Sequence, residues 1–508
     1  MDPQPESRRL PAFAWYPALA LAGAKFLLHA LTLERYGWFR DELYFLDCAK
    51  HPQWGYVDDA PGIVWAFRAA LALGGSLGAV RAIAALGGAL TVLTGPLLAR
   101  ELGGGRFAQA FAGLCILAAP VFLGMDSILC VGAIEPLAWM GCVLLLARIA
   151  RTGDARLWIP FGLVAGLGIH VKYTMLLVLA CMLGALVLDP LRRQALRGWF
   201  WAGALLAVAV ALPTLLWQVR NDFPLLRDMA EIRRIGKNVE LAPPAFLLRQ
   251  ILVLNPVLFP VWAGGLVWLL RRKGPRILGV SWLLLLGAMM ALKAKDYYLA
   301  ASYPVLFAAG ACGLEALLEG RPRLRAAVLV PPLATLALLA PLILPLLPPD
   351  SLLAYQARLG LAPTRTERSH DSPLDQRLAD QFGWEEMARE VARVYHALPE
   401  GDRARAGIYA ENYGEAGAIN LYGPALGLPP AICAHQAHSL WGPPAEEPEI
   451  LILVGSDGEG LDRIFSSFEA AGRHAHPWGM AYENRPIWVC RGWKTSLRAL
   501  WPRITHWD

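Results

Sequence analysis

The chain has 508 residues, of which 56% are hydrophobic and only 17% are charged. Soluble proteins carry about a quarter charged residues, so this composition excludes an ordinary water-soluble protein and predicts a polytopic membrane protein. The net charge of +6 is less informative than its distribution along the loops, and we expect membrane lipids rather than nucleic acid around the chain.

Continuous apolar runs predict membrane-spanning helices, because they lack the alternation typical of a β-barrel. The first run follows a basic pair and has no small-residue cleavage site, so we expect an uncleaved first span. The run from Trp158 to Leu188 is interrupted by GIHVKYTM and indicates either two short helices or one re-entrant pair. An all-α bundle of about eleven spans is predicted, each of about 20 residues, centred near Ala22, Leu90, Leu114, Met140, Leu163, Leu179, Val208, Gly264, Leu285, Leu306 and Ala337.

Six basic clusters fall on one side of the membrane if there are eleven spans. By the positive-inside rule that side is cytoplasmic. We therefore expect a cytoplasmic amino terminus, a periplasmic or extracellular carboxyl-terminal domain and a location in a bacterial inner membrane. The clusters are Arg8 and Arg9; Arg100 and Arg106; Arg148, Arg151 and Arg156; Arg192, Arg193 and Arg197; Arg271–Lys273 and Arg276; and Arg321, Arg323 and Arg325.

After the proline-rich stretch LPLLPPD the chain becomes polar. This change separates a membrane domain, residues 1–348, from a carboxyl-terminal domain, residues 349–508. WEEMAREVARVYHAL has the pattern of an amphipathic helix, whereas ARAGIYA and EILILVGS indicate short buried strands followed by turns, so a soluble α/β domain is predicted. Cys433 and Cys490 lie in this domain and could pair in an oxidising compartment, although sequence alone leaves their pairing open.

Acidic residues concentrate in WFRDELYFLDCAKHPQWGYVDDAPGIVW, inside an outer-face loop expected over residues 34–77. The simplest interpretation is a solvent-exposed loop whose charged side chains remain hydrated. However, aromatic residues are interleaved with the charges, and positions 44, 47 and 48 recur at helical spacing after Asp41, which is typical of short helices in the membrane interface. A carboxylate held between such a helix and the bundle would be partly desolvated, which raises its pKa and suits a general base.

Two further acids lie near the next apolar runs. Asp126 either caps the helix that carries Glu135, a common use of Asp, or belongs to a functional site. Glu135 lies inside an apolar run, where an acidic group costs about 2.5 to 3.5 kcal/mol near the centre of a span. It must therefore find a partner or water.

Lys172 and Lys295 occupy short outer turns, and Tyr297 and Tyr298 follow the second turn. Lysines at this depth usually reach toward lipid headgroups, and such tyrosines often form an aromatic belt. An enzyme that uses a phosphorylated lipid would also need cations there. His170 is isolated and no HExxH or CxxC spacing occurs, so no dedicated metal cage is predicted. No cofactor is required, and a divalent metal stays an open alternative.

RDELYFLDCAKHPQWGYVDDAPGI resembles the first outer loop of the integral-membrane GT-C glycosyltransferases of the protein O-mannosyltransferase and aminoarabinose-transferase superfamily. The resemblance spans nearly the whole chain. It implies a helical bundle with a cavity on the non-cytoplasmic face, where a sugar leaves a polyprenyl phosphate for an acceptor. Further similar segments, in order, are IEPLAWMGCVLLLARI, GLGIHVKYTMLL, LPTLLWQVRNDFP, LNPVLFPVW, KAKDYYLAASYPVLFAAGA and YAENYGEAGAINLYGP.

The resemblance also implies roles for individual residues. Asp41 becomes the candidate general base, Glu42 a supporting or acceptor-positioning group, and Asp126 lies near the family's second acidic region. VDDAPG departs from the usual double-proline form, because Gly62 replaces the second proline. The candidate substrate-binding residues are Asp58, Asp59, Glu135, Lys172, Lys295, Tyr297 and Tyr298.

The first hypothesis is therefore an inverting hexosyl- or pentosyltransferase with a polyprenyl-phosphate sugar donor. Asp41 would take the proton of the acceptor hydroxyl, and the two lysines and a tyrosine would stabilise the leaving phosphate. An envelope glycan, a lipid or a protein could supply the acceptor. One alternative is a transporter or lipid flippase, although no repeated halves are found in the sequence. Another is a scaffold whose outer domain binds a partner.

Overall fold

The structure, a computed structural model, describes residues 10–362 and 367–507; the predicted basic pair Arg8 and Arg9 lies outside the described residues. The chain divides into two compact units. The helical unit comprises the residues up to Leu33, Gly78–Leu216 and Glu240–Leu346. The α/β unit comprises Glu34–Leu77, Trp217–Val239 and the residues from Leu347 onward.

This division differs from the predicted boundary between residues 348 and 349, because residues 34–77 and 217–239 group with the carboxyl-terminal residues. Close helix packing within the α/β unit explains part of the difference. Helix Arg40–Lys50 lies against helix Tyr413–Tyr422, and a Cβ on Gly417 would be only 2.8 Å from the backbone carbonyl carbon of Leu43. A glycine at this position allows the two backbones to approach.

The helical unit consists of helices and short 3-10 turns, as its continuous apolar runs predict. Each of the eleven predicted span centres lies within a helix. The α-helices that lie wholly or mostly in this unit are Trp15–Ala30, Leu77–Glu101, Arg106–Leu117, Pro120–Met125, Glu135–Thr152, Trp158–Val171, Thr174–Leu188, Gly198–Arg220, Pro243–Val253, Phe259–Arg271, Arg276–Ala291, Pro304–Leu317, Pro322–Ala327 and Val330–Ile343. The 3-10 helices are Val131–Ala133, Ala155–Leu157, Pro190–Leu196, Pro256–Leu258 and Asp296–Ser302.

The predicted count of eleven spans is not confirmed. Among the described residues, four helices are long and apolar enough to cross a membrane, and counting three bent pairs as one span each raises the number to seven. Several predicted spans form shorter helices. Arg106–Leu117, for example, has 12 residues and extends only about 18 Å, less than the roughly 30 Å of bilayer hydrocarbon. The uncertain run near residue 172 forms two helices, Trp158–Val171 and Thr174–Leu188.

Basic clusters meet at one end of the helical unit. Glu101 accepts ion pairs from Arg148 at 3.4 Å and from Arg151 at 2.6 Å. The turn that follows Glu101 lines a cavity together with Arg272 and Arg325. Four of the six predicted clusters therefore share this end, whereas Glu135 begins its helix at the opposite end from Arg148 and Arg151.

The α/β unit contains a five-stranded mixed sheet. Its strands are β1 (Ala406–Ala410), β2 (Ala431–Cys433), β3 (Ile450–Val454), β4 (Phe465–Arg473) and β5 (Pro486–Trp493), in the order β2-β1-β3-β5-β4. β1 is parallel to β2 and β3, and β5 is antiparallel to β3 and β4. The predicted strands in ARAGIYA and EILILVGS are confirmed as β1 and β3, because their apolar residues are buried in the middle of the sheet.

Several helices pack against this sheet within the α/β unit. The amphipathic pattern at WEEMAREVARVYHAL is confirmed as helix Trp384–Ala397, which buries Trp384, Met387, Ala388 and Val391 at helical spacing. The helices of the unit are Arg40–Lys50, Gly62–Ala72, Pro224–Ile235, Pro349–Arg358, Gln376–Ala379, Trp384–Ala397, Glu400–Arg403, Tyr413–Tyr422, Gln436–Trp441, Leu461–Ile464 and Leu497–Ile504, with 3-10 turns at Gly423–Leu426 and Ala481–Glu483.

The possible disulfide between Cys433 and Cys490 is not formed, and both residues are buried free thiols. Cys433 lies on β2 and Cys490 on β5, with β1 and β3 between them. Neighbouring strands are about 4.8 Å apart, so three spacings place the two Cα atoms roughly 14 Å apart. A disulfide needs Cα atoms within about 7 Å.

Candidate functional site

Asp41 lies in the first turn of helix Arg40–Lys50, in the stretch that the sequence singled out. Its side chain is 37% exposed, and its Oδ1 accepts a hydrogen bond of 2.9 Å from the Tyr413 hydroxyl. The Arg40 guanidinium is 3.9 Å from the same oxygen. One oxygen of the carboxylate is thus held by buried neighbours while the side chain stays accessible.

Glu42 has a structural position next to Asp41. Its carboxylate is fully buried, and its Oε2 accepts a hydrogen bond of 2.9 Å from the Phe39 amide. This bond satisfies a backbone N–H at the start of the helix, where donors lack intrahelical partners. Glu42 therefore fixes the helix turn that presents Asp41.

Two tyrosines connect Asp41 with Asp58. The Tyr44 hydroxyl donates a hydrogen bond of 3.1 Å to Oδ1 of Asp58, and the rings of Tyr44 and Tyr413 pack with centroids 4.8 Å apart. Because the Tyr413 hydroxyl contacts Asp41, the structure brings both predicted acids to one aromatic pair. Burial, followed by the charges of Asp59 and Asp228, raises the pKa of Asp58 well above its usual range.

A buried acidic cluster lies behind Arg40. The Arg40 side chain donates a hydrogen bond of 2.5 Å to the Tyr482 hydroxyl and lies 3.9 Å from Glu367 and 4.0 Å from Asp380. Asp380 is buried, and neither oxygen of its carboxyl has a hydrogen-bond partner within residues 10–362 and 367–507. Burial raises the pKa of Asp380 to about 7, although the charge of Arg40 opposes the shift.

The amino end of helix Tyr413–Tyr422 carries a second acidic pair, in the segment YAENYGEAG. The Asn412 side chain caps the helix by accepting from the amides of Gly414 and Glu415, and it donates a hydrogen bond of 3.2 Å to Glu483. Burial, then the charge of Glu483 and a hydrogen bond with it, raises the pKa of Glu415 well above its usual range. This cap fixes the position of the adjacent Tyr413.

Asp47 lies on the same helix as Asp41 but is enclosed. It accepts hydrogen bonds from Asn420 at 2.6 Å and from Lys50 at 3.0 Å, and His438 Nε2 lies 3.2 Å away. Burial alone would raise the pKa of Asp47, but the bond and charge of His438 and the charge of Lys50 outweigh it and lower the pKa. These contacts join helix Arg40–Lys50 to the carboxyl-terminal residues.

In the helical unit, Glu135 finds the partners that its apolar surroundings require. It accepts a short hydrogen bond from the Thr174 hydroxyl, and Lys172 Nζ lies 3.9 Å from its carboxylate. The same ammonium lies 4.1 Å from the ring centroid of Tyr298. Tyr297 packs edge-on against Tyr298 with centroids 5.0 Å apart. Four predicted residues thus form one cluster.

Lys295 precedes the 3-10 turn Asp296–Ser302 that carries the two tyrosines, and it is half-buried. The next residue, Asp296, accepts a hydrogen bond of 2.8 Å from Arg249 Nε, and the Gln250 side chain donates to the Asp296 carbonyl at 2.9 Å. Arg249 was not among the sequence candidates. Its sequence signal is a basic residue within the mostly apolar helix Pro243–Val253.

Asp126 does not cap the helix that carries Glu135, as one interpretation of the sequence expected. It follows helix Pro120–Met125, and its Oδ2 lies 2.8 Å from Lys25 Nζ, with both side chains buried. Its carboxylate is therefore engaged by a cation. Lys25 is the partner that sequence reasoning missed, although a lone lysine inside an apolar run is itself a signal that such a partner exists.

Tyr413, Tyr44, Arg40 and Asp380 were likewise not predicted as site residues. Tyr413 lies in YAENYGEAGAINLYGP, one of the segments that carry the family resemblance. That resemblance could have indicated Tyr413 as a site residue. Within residues 10–362 and 367–507, no three His, Cys, Asp or Glu side chains are placed to hold a metal ion together.

Comparisons with known proteins agree with this architecture. The family model of dolichyl-phosphate-mannose-protein mannosyltransferase matches residues 58–217. The lipid A galacturonosyltransferase RgtD of Rhizobium johnstonii is 28% identical over 284 residues, which is 53% of this chain. That match spans 58% of the length of the relative.

Solved structures show the same fold. ArnT from Cupriavidus metallidurans in the apo state has a TM-score of 0.60 at 15% identity, covering 92% of this chain and 97% of ArnT. ArnT bound to undecaprenyl phosphate has a TM-score of 0.58 at 13% identity, covering 94% and 98%. The chain thus has the fold of these ArnT structures, and it is similar to integral-membrane glycosyltransferases of the GT-C superfamily.

Proposed function

We propose that this protein transfers a sugar from a polyprenyl-phosphate donor to a hydroxyl acceptor on the non-cytoplasmic face of the membrane. In this reaction the glycosidic bond to the lipid phosphate breaks and a bond to the acceptor oxygen forms. The acceptor proton passes to a base, and the lipid phosphate leaves with the electron pair of the broken bond. The acceptor belongs to an envelope glycan, a lipid or a protein.

The environment of Asp41 carries this proposal. A general base must reach the acceptor hydroxyl, and Asp41 is the partly exposed carboxylate beside the enclosed Glu42 and Asp47. The Tyr413 hydroxyl occupies one of its oxygens, which leaves the other to accept the proton. Attack by an oxygen activated in this way, opposite the leaving phosphate, inverts the anomeric carbon.

The cluster around Lys172 supports binding of the donor phosphate. Negative charge grows on the phosphate as the bond breaks, and a cation placed in advance stabilises that charge. Lys172 lies over the Tyr298 ring and beside Glu135, so the site needs no large movement of a flexible side chain. Lys295 and Tyr297 belong to the same proposal as further phosphate contacts. Asp58 and Asp59 contribute to acceptor or sugar binding.

Asp41→Asn tests the assignment of the base. The amide nearly preserves shape and removes the basic oxygen, so kcat should fall by about 10²- to 10⁴-fold while the donor still binds. The measurement is sugar transfer from polyprenyl-phosphate sugar by the full-length protein in nanodiscs, together with donor titration.

Asp222→Asn is the matched control. Asp222 lies in the same unit, its side chain is 78% exposed, and it forms an ion pair with Arg227. This variant should transfer sugar at the wild-type rate. A folded Asp41→Asn protein with wild-type kcat would remove Asp41 from the role of base. Movement of lipid across the bilayer without any sugar transfer would favour the flippase alternative instead.

A further inference from the structure

The end of the helical unit where the basic clusters meet contains a cavity of about 330 Å³. Its lining includes Trp268, Arg272, Cys312, Glu315, Glu319 and Arg325. This volume lies at the lower limit for small-ligand pockets. The Lys172 cluster lies at the other end of the unit, because Glu135 and Arg151 lie near opposite ends of helix Glu135–Thr152. The cavity is therefore separate from the proposed phosphate contacts.

One of the two acids in the cavity is already engaged. The Glu315 carboxylate accepts hydrogen bonds from the amides of Gly105, Phe107 and Ala108, at 2.6, 3.1 and 3.2 Å. These amides belong to the amino end of helix Arg106–Leu117, where unpaired N–H groups favour negative charge. The charge of Glu315 is thus offset by the protein itself and is not left for a ligand.

The two arginines are held but keep donors for a ligand. Arg325 donates from Nε to the Leu318 carbonyl at 3.1 Å and from Nη2 to the Glu315 carbonyl at 3.0 Å, which leaves Nη1. The Arg272 guanidinium lies 4.3 Å from the Trp268 ring centroid. Arg272 has no ion-pair partner within the part of the chain that the structure describes. A planar guanidinium fixed in this way suits a phosphate.

Glu319 supplies the opposite charge. It is exposed, and it has no ion-pair partner among residues 10–362 and 367–507. With Glu315 offset, the cavity offers two cations and one carboxylate. A simple anion would leave Glu319 as a repulsive neighbour, whereas a ligand with a phosphate and an ammonium group matches both charges.

We propose that this cavity binds the head group of a zwitterionic phospholipid that carries a primary ammonium, with the phosphodiester at Arg272 and Arg325 and the ammonium at Glu319. The lipid source follows from the position of the cavity. It lies where apolar helices end, beside Trp268 near the end of helix Phe259–Arg271, and both Trp and basic residues concentrate at such boundaries. Basic pockets between spans are known lipid sites.

Lipid titrations of the full-length protein, followed by native mass spectrometry in detergent, test this assignment. Phosphatidylethanolamine should bind about tenfold tighter than phosphatidylcholine, because the trimethylammonium group cannot donate to Glu319 and a charged hydrogen bond contributes about that factor. Arg272→Gln should weaken phosphatidylethanolamine binding about tenfold. Glu319→Gln should remove the preference over phosphatidylcholine and leave phosphatidylglycerol binding intact or stronger.

Arg276→Gln is the matched control, because Arg276 is an exposed cation at the same end of the unit and does not line the cavity. It should bind phosphatidylethanolamine as the wild type does. Equal affinity of the wild type for the two zwitterionic lipids, or equal losses in Arg272→Gln and Arg276→Gln, would overturn the proposal. Full displacement of the lipid by millimolar glycerophosphoethanolamine would contradict the assignment of a membrane lipid as the ligand and would indicate a soluble ligand.

Discussion

Asp41, Glu42 and Asp380 lie in one region of the α/β unit and have three different environments. Asp41 is partly exposed and accepts from one tyrosine. Glu42 is enclosed and accepts from a backbone amide. The Asp380 carboxyl is enclosed near Arg40, and neither of its oxygens has a hydrogen-bond partner among the described residues. The same chemical group therefore serves as candidate base, helix cap and buried titrating group.

The buried carboxyl of Asp380 should make stability depend on pH. Its pKa is raised from 3.8 to about 7 by burial, opposed by Arg40 and reinforced by Glu367, Asp41 and Glu483. A raised carboxyl pKa contributes stability that is complete below about pH 4 and is lost as the pH rises to about 7. Asp380→Asn should lack this loss, so the wild type should lose about 2 to 3 kcal/mol relative to the variant between pH 5 and 8.

Thermal unfolding of the full-length protein in detergent across this pH range measures the difference. The control is Asp371→Asn, because Asp371 is exposed in the same unit and its replacement should leave the wild-type pH dependence unchanged. Parallel curves of melting temperature against pH for the wild type and Asp380→Asn would contradict the expected protonation of the buried carboxyl.

At the scale of elements, the close approach of two helices holds the candidate base. Helix Arg40–Lys50 carries Asp41, and helix Tyr413–Tyr422 carries its hydrogen-bond donor Tyr413. Gly417 meets the first helix at Leu43, where an added Cβ would lie 2.8 Å from the carbonyl carbon, the carbonyl oxygen and the Leu43 Cβ. Contacts this short require backbone movement.

Gly417→Ala should therefore destabilise the α/β unit by about 1 to 3 kcal/mol and lower sugar transfer by displacing Tyr413 from Asp41. Gly401→Ala is the control: Gly401 lies in helix Glu400–Arg403 and a Cβ there meets nothing within 4 Å. Alanine at that position should be neutral or stabilising by up to about 1 kcal/mol. Equal melting temperatures and equal transfer rates for the two variants would argue against the close packing of these helices.

At the scale of the whole molecule, orientation in the membrane follows from the basic clusters. Four of the predicted clusters share one end of the helical unit. We predict that this end is cytoplasmic and that the carboxyl terminus is on the non-cytoplasmic side, as the sequence analysis expects. An alkaline phosphatase fusion at the carboxyl terminus should be active and a green fluorescent protein fusion there should be dark. The same fusions after Gly320 should give the reverse result.

Two fusion sites that report the same side would contradict this orientation. A carboxyl-terminal reporter that is active only in the cytoplasm would also remove the proposed non-cytoplasmic site, because Tyr413 and Asp380 belong to the polar residues after Leu347. Membrane fractionation detects a fusion that fails to insert. In that case, labelling of single cysteines at the same positions measures which side of the membrane they face.

Hydropathy and periodicity predicted the helices well and their lengths poorly. All eleven apolar centres lie in helices, because a continuous apolar run satisfies its backbone only as a helix in lipid. Hydropathy does not define where a helix bends, so three bent pairs and several short helices lower the count of candidate spans. The amphipathic helix and two buried strands after residue 348 were likewise readable from local pattern.

The sequence by itself determined that this is a membrane protein with an acidic, aromatic first loop and a polar α/β segment at its carboxyl end, because composition and short-range spacing carry that information. Only the tertiary structure decided what each acid contacts. The Tyr413 hydroxyl reaches Asp41 across 372 positions of sequence, and Lys25 forms an ion pair with Asp126, which lies about 100 positions further along the chain. Such partners depend on how distant helices pack, and neither hydropathy nor periodicity encodes that packing within a single segment.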